Sequence, residues 1–411
     1  MTKYLLPLLL SGVAGCGSDP AKPDAPSPDA PPDTPPSQCQ PQGAVGNFYR
    51  RPNPRLVSGT HAYTDGTVDI AITDPDLRWD GAAWQLYYHG PNSVDYASPI
   101  TPMIRHAASP DLATWTIDDA PALTAPSDAG AWDHLTTETP TVAYNPDAPA
   151  DRRYLMLYSG ANAPFPGHPF PGYAIGAAFS ADGKTFTRIA ASESPHALAG
   201  QVLTAGDAYP GMMGVVADPE LAYVAGTYHL WFSSFACMGT DCATVSAYGI
   251  SHATSTDGVH WSVLEAPVRT LLRSAVDHTT GGGQPSVVYD AAHCRWEMWL
   301  RSDTAGESSG QPVVFNNMVG VWHATSTDAV AWTINYNTAR DLAWNAAAPD
   351  PGEHLGLLTG ADVALKDGGR YMVFSGFDDQ NVPAGFALPD HSQQGFGPGV
   401  ITLNVATRDG L

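Results

Sequence analysis

The sequence predicts an all-β protein, a five-bladed β-propeller, and three observations predict it. A motif with the core Ser-x-Asp-Gly-x-x-Trp recurs in variant form at residues 109–115, 180–186, 255–261 and 326–332, and a shortened fifth copy begins Thr407-Arg408-Asp409-Gly410. Its leading positions lie 71, 75, 71 and 81 residues apart, so the chain is a repeat of near-constant period. Every copy follows the same order of strand-like segments, and the piece that the fifth copy lacks is found near the beginning of the chain.

Within a unit the first segment is a short strand opened by a polar residue, usually before proline: Asp74-Pro75, Thr139-Pro140, Asp218-Pro219, Gln284-Pro285 and, in the last, Asp362-Val363. An aromatic-rich strand follows at 84–90, 154–160, 228–234, 296–302 and 371–376, ending in small residues. A third segment, at 103–107, 173–178, 248–253, 318–324 and 400–406, alternates in bulk as a half-buried strand does. Then comes the motif itself. Asp and Gly accept the geometry of a tight hairpin turn, and the aromatic that follows packs a fourth strand. Four antiparallel strands in about 70 residues make a propeller blade, and five such units make a ring.

The ring must also close. Trp115 and Trp261 are each followed six residues later by proline, Pro121 and Pro267, whereas the fifth copy stops at Leu411. Phe48 and Pro54 repeat that spacing ahead of the first unit, followed by Arg55-Leu56-Val57. An N-terminal strand is therefore expected to complete the last blade, which removes an open sheet edge.

Composition sets the setting. The chain has 411 residues and a net charge of −22 with only 19 Lys plus Arg, which argues against nucleic acid or anionic lipid as a partner, since phosphate binding needs clustered cations. Residues 1–16 carry Lys3, an apolar run and Val13-Ala14-Gly15-Cys16, and so resemble a bacterial lipoprotein signal. That resemblance implies export, lipidation of Cys16 and contact with the cell-envelope membrane through the lipid alone. Residues 17–44, rich in Pro, Asp, Ser and Ala, read as a disordered tether, and 45–411 as one propeller, expected to be a monomer. Four other cysteines remain, Cys39, Cys237, Cys242 and Cys294, which allow three pairings into two disulfides. Proximity in sequence favours Cys237 with Cys242, leaving Cys39 for Cys294. No His/Cys spacing fits structural zinc.

In a propeller the innermost strands converge on a central channel, which gathers residues that are distant in sequence. The strand-opening set is Asp74, Thr139, Asp218, Gln284 and Asp362, and two residues further on stand Asp76, Thr141, Glu220, Ser286 and Ala364. Any one Asp-Pro could simply cap a turn. Five carboxylates converging on one channel would repel one another and lose solvation, which points to use. The loops ahead of the inner strands carry Asp133-His134, Asp277-His278 and Glu353-His354. These histidines could bind hydroxyl groups, ligate a channel cation or act as acids; the plainer reading is a brace in which the acidic residue holds its histidine. Trp79, Trp132 and Phe170 could stack on sugar faces, while most of the 11 tryptophans fit the blade cores.

With these residues in view, the chain over about 45–411 resembles the five-bladed propeller glycosidases of the arabinanase, levansucrase and invertase superfamily, including glycoside hydrolase families 43 and 32. The turns, the aromatic second strands and the Asp-Pro openings carry the resemblance. It implies that Asp74, in Thr-Asp-Pro-Asp, is base or nucleophile, and that Asp218, in Ala-Asp-Pro-Glu, tunes and positions. The acid is implied as a Glu in a Glu-x-Pro context, but the later blade reads Gly283-Gln284-Pro285. Glu138, in Glu138-Thr139-Pro140, is the first candidate for that role and Glu220 the second. Asp76, Glu220, Gln284, Asp362, His134 and His278 are the candidate contacts to an oligo- or polysaccharide. No cofactor is expected, and a channel cation stays open. The other class in play is a non-catalytic carbohydrate-binding or surface-interaction propeller.

Overall fold

A computed structural model describes residues 48–52, 55–94, 100–166, 171–238, 244–264, 283–303, 318–334, 341–345, 347–384 and 398–408. The signal, the tether, Cys16, Cys39, Cys242, His278 and Phe170 lie outside these residues. Among them the only α-helix is the single turn Ala205–Ala208; nearly everything else is antiparallel sheet.

Five blades follow in chain order from the channel outward. The first is Thr73–Trp79, Trp84–His89, Met103–Ser109 and Thr116–Ile117; the second Thr136–Tyr144, Tyr154–Ala161, Ala174–Ser180 and Thr187–Arg188. The third is Met213–Val224, Thr227–Met238, Thr244–Ser255 and Ser262–Val263, and the fourth Ser286–Asp290, Arg295–Asp303, Met318–Ser326 and Thr333–Ile334. In the fifth, Asp362–Lys366, Gly369–Asp378 and Val400–Arg408 are joined at the outer edge by Tyr49–Arg50 and Leu56–Val57. Tyr49 lies opposite Thr407 and Leu56 opposite Leu403. Gly356–Leu357 pairs with strands of both blade 4 and blade 5, so those two sheets run into each other.

The repeated aromatics have a local cause. Beside the hairpin that joins inner and second strand, directly opposed residues are both aromatic in four blades. Ring centroids are 5.2 Å apart in Trp79/Trp84, 4.9 Å in Tyr144/Tyr154, 4.8 Å in Tyr223/Tyr228 and 5.0 Å in Tyr289/Trp296. Each such pair adds roughly 0.5–1.5 kcal/mol beyond its buried area. The turn motif is a second repeated device. Ser180 Oγ donates to Asp182 Oδ1 at 2.8 Å, and the same carboxylate oxygen accepts the backbone N–H groups of Lys184 and Thr185. Ser109/Asp111, Ser255/Asp257 and Ser326/Asp328 repeat this clip. Gly258, at φ 75°, sits where an added Cβ would come 2.4 Å from Leu155 of the neighbouring blade, so turn and core fit through a missing side chain.

Blade 3 buries a histidine pair. His252 stacks flat on Trp231 at 4.6 Å, and its Nε2 is 3.2 Å from Nδ1 of His229. Burial pushes His252 down to about 3 and His229 down to about 4, from 6.5. Both are therefore neutral in the fold, while the unfolded chain takes up two protons below pH 6.5. Their contribution is full above that pH and is lost as pH falls through it towards 4. His252→Phe should flatten the loss of stability between pH 6.5 and 4 by on the order of 2 kcal/mol relative to the unsubstituted protein, read from denaturant midpoints across pH.

Blades 4 and 5 share a buried charge cluster. Glu297, fully buried, accepts from Arg370 of blade 5 at 2.7 and 3.0 Å and from Arg295. Arg370 also pairs with Asp290. Although burial pushes Glu297 upward, His323 and Arg370 hold its carboxyl well below the usual range. Arg408 lies over the ring of Phe48 at 4.9 Å and bonds Asp341 at 3.1 Å, and Asp341 also accepts from Trp299 Nε1.

Candidate functional site

The channel mouth is built by a bulge repeated in three blades. The ladder between inner and second strand slips between Thr73 and Asp76, between Glu138 and Thr141, and between Ala217 and Glu220. At each slip the residue before proline has a left-handed backbone: Asp74 at φ 51°, Thr139 at 49° and Asp218 at 50°; Gln284 in blade 4 matches them at 46°. Proline removes the next ladder donor, and the bulge re-aims side chains, a strained device common beside functional sites. With Gly360 of the fifth blade, these residues surround a narrow depression of about 40 Å³.

Gly360, not Asp362, is thus the fifth opening residue. Repeat spacing places blade 5 two residues too late because no proline marks the spot. Asp362 belongs to the layer below, with Asp76, Thr141, Glu220 and Ser286, and Ala364 does not. That layer is a closed circuit of hydrogen bonds between blades. Val142 N–H donates to Asp76 at 3.2 Å, Leu221 N–H to Thr141 at 3.0 Å, and Val287 N–H to Glu220 at 2.8 Å. Val363 N–H donates to Ser286 at 2.9 Å, and Leu77 N–H to Asp362 at 2.5 Å, which returns to blade 1. Burial, reinforced by the charge of Asp362, pushes Asp76 and Glu220 well up; burial pushes Asp362 up to about 6.

Above this belt, Asp74, Asp218 and Glu138 lie half-buried at the mouth. Burial, then repulsion from Glu138 and Asp218, pushes Asp74 up to about 8 against the pull of Thr73 and Arg301. Burial pushes Asp218 up to about 6, with Ser233 opposing and Glu138 adding. Gln284 Nε2 donates to Asp74 Oδ1 at 3.1 Å, while Gln284 Oε1 accepts from Arg301 at 3.1 Å and from Gly360 N–H at 2.7 Å. Tyr173 donates its hydroxyl proton to Glu138 Oε1, and His89 Nδ1 stands 3.6 Å from Glu138 Oε2.

His89, Tyr173 and Arg301 are absent from the set that sequence reasoning singles out, although two of them carry a signal. When the second strands are aligned, the residue before their small end is His89, Ser159, Ser233, Arg301 and Ser375. Ser159 accepts Asp218 N–H at 3.0 Å and Ser233 accepts Gln284 N–H at 2.9 Å, so this position supports the next blade's opening residue. The two departures from serine are the signal.

The loop pairs behave differently from the expected brace. Asp133 holds Arg188 at 2.6 Å and Tyr158 at 2.8 Å, while His134 bonds the carbonyl of Pro126 at 2.7 Å. Glu353 holds Arg50 at 2.6 Å, and His354 turns to Asp379 at 2.6 Å. Each acidic residue thus takes an arginine rather than its neighbouring histidine, because the forked, permanently charged guanidinium satisfies a buried carboxylate better than an imidazole does. Trp132 stacks on Tyr158 and donates to the carbonyl of Ala199. Trp79 ends its strand and lines a cavity of about 400 Å³ beyond the belt, away from Asp74. Among the described residues, His354, Asp378 and Asp379 bring three metal-type ligand atoms within 4.8 Å, but Asp378 is already bonded to Asn381.

No protein-family model matches the chain, and no curated protein is similar to it. Solved structures do match. A structure of a BT0996 RGII complex aligns at TM-score 0.58 and 14% identity over 88% of this chain and 93% of its own. A thermostable family-43 glycoside hydrolase aligns at TM-score 0.53 and 14% identity over 87% and 94%. A structure from the GH130 family of mannoside phosphorylases, which contains glycoside hydrolases that target β-1,2 mannosidic linkages in Candida mannan, aligns at TM-score 0.52 and 14% identity over 90% and 96%. The chain has the five-bladed propeller fold found among glycosidases.

Proposed function

We propose that this protein is an exported glycoside hydrolase that cuts a saccharide at the channel mouth. The observation that carries the reading is the meeting of Asp74, Asp218 and Glu138 at one mouth, two of them on left-handed bulges and all within electrostatic reach of one another. In this reading Asp74, in its ionised form, serves as base towards water or as nucleophile, so activity should rise as pH climbs towards 8; Gln284 holds its Oδ1. Asp218 holds and positions the sugar beside the acid. Glu138 gives its proton to the leaving oxygen. Asp76, Glu220 and Asp362 are assigned to the belt, since their oxygens already accept backbone N–H groups. Gln284 and His134 remain the contacts proposed for the saccharide. The same reading keeps lipidation at Cys16, a monomer tethered to the cell envelope, and the pairs Cys39–Cys294 and Cys237–Cys242.

One observation favours a second reading. The amide Gln284 stands where the resemblance implies an acid, and an amide cannot give up a proton; a binding propeller would need none. The purified protein should be screened against aryl furanosides, aryl pyranosides and natural oligosaccharides. Turnover of one class is expected; saccharide binding without turnover would leave the binding module in its place.

A further inference from the structure

Glu138 is held from both sides by residues of two blades. Tyr173, at the start of the third segment of blade 2, donates to Oε1. His89 closes the second strand of blade 1 opposite Thr73, and its Nδ1 lies 3.2 Å from Thr73 Oγ1 and 3.6 Å from Glu138 Oε2. Its other nitrogen, Nε2, is buried and has no partner. A buried N–H left unpaired costs more than an idle lone pair, so the proton belongs on Nδ1, where two oxygens face it. The equivalent residues of three other blades are serines, and an imidazole appears in the blade that adjoins Glu138.

We propose that His89 is a positioning residue for Glu138: its Nδ1–H steadies Oε2, keeps the carboxyl aimed into the mouth and stabilises the carboxylate left once the proton has gone. The proposal rests on the reading of Glu138 as the acid. The groups that face Glu138 are the carboxyls of Asp74 and Asp218 and the donors of Tyr173 and His89. Burial keeps the imidazole itself neutral, lowering it from 6.5. A contact of 3.6 Å is long for a hydrogen bond, and catalytic contacts commonly tighten when substrate arrives.

The test follows the Glu138 side-chain carboxyl by ¹³C NMR across pH in the full chain, with Glu138→Gln to assign the signal. Asparagine at position 89 can place an N–H near the site of Nδ1; glutamine places it near Nε2. His89→Ala should raise the Glu138 midpoint, His89→Asn should hold it and His89→Gln should let it rise. In parallel, kcat for a glycoside with a poor leaving group should fall about tenfold or more in His89→Ala with KM little changed, and recover in His89→Asn. An unchanged midpoint in His89→Ala overturns the proposal whatever the activity does. Should that variant fail to fold, equal midpoints in the Asn and Gln variants overturn it. A midpoint that moves in a protein without turnover sinks the hydrolase reading instead and leaves the pairing of His89 with Glu138 standing.

Discussion

Replacing Glu297 with glutamine is expected to lower stability by about 3–5 kcal/mol, because it leaves buried guanidinium groups without their counter-charge. Glu297 is fully buried and accepts from Arg370 on the adjoining blade and from Arg295 on its own. Arg370 keeps Asp290 as a partner, so part of its charge stays compensated and the lower end of the range is the nearer expectation. Denaturant midpoints at neutral pH give the answer. A cost below about 1 kcal/mol, the range of exposed ion pairs, would mean that this cluster does not clamp blade 4 to blade 5. The pH dependence has a sign as well. The carboxyl is held low, so its contribution stands above the unfolded value and is lost only as pH falls below it.

The largest effect on activity is expected at Asp74. Asp74→Asn should reduce hydrolysis by roughly 100- to 10,000-fold, the usual loss when a positioned base is removed, while saccharide binding survives. Stability should move the opposite way. Burial and like charge push Asp74 up to about 8 from 3.8, so the folded protein holds this proton more tightly than the unfolded chain. The stabilisation is present below 3.8 and is lost as pH rises towards 8. Asn avoids that loss. The variant should therefore gain about 1–3 kcal/mol over the unsubstituted protein near pH 8.5, and the gain should vanish towards pH 4. Full activity in Asp74→Asn would end its assigned role, and an equal stability profile would show that its environment at the mouth is more solvated than the structure implies.

The fold is legible in the sequence because its devices repeat. Turn clips, hairpin aromatics and strand openings recur with one period, and each copy supports the others. Position 362 misleads for the converse reason: blade 5 has Gly360-Ala361 where its sisters have a polar residue and proline, so the register rests on a carboxylate that belongs one layer down. The three belt carboxylates look functional because a sequence shows charge converging on an axis but not the backbone N–H groups that meet it. Asp74, Asp218 and Glu138 can be read from local context. Their keepers are harder to read, since His89 reaches Glu138 and Arg301 reaches Asp74 across blade boundaries, while Tyr173 shares a blade with Glu138 but stands just ahead of its third strand.

The belt also decides which way traffic can run. Its five side chains are all buried, and Glu220 and Asp362 form a wall shared by the mouth and the larger cavity beyond. A propeller is often pictured as an open tube, but here the axis is stopped like a well with a floor. A polymer cannot thread through such a site. Whatever enters at Asp74 must retreat by the way it came, so a chain would be offered end-first or as a loop lying across the rim, and each product would have to clear the same opening before the next could enter.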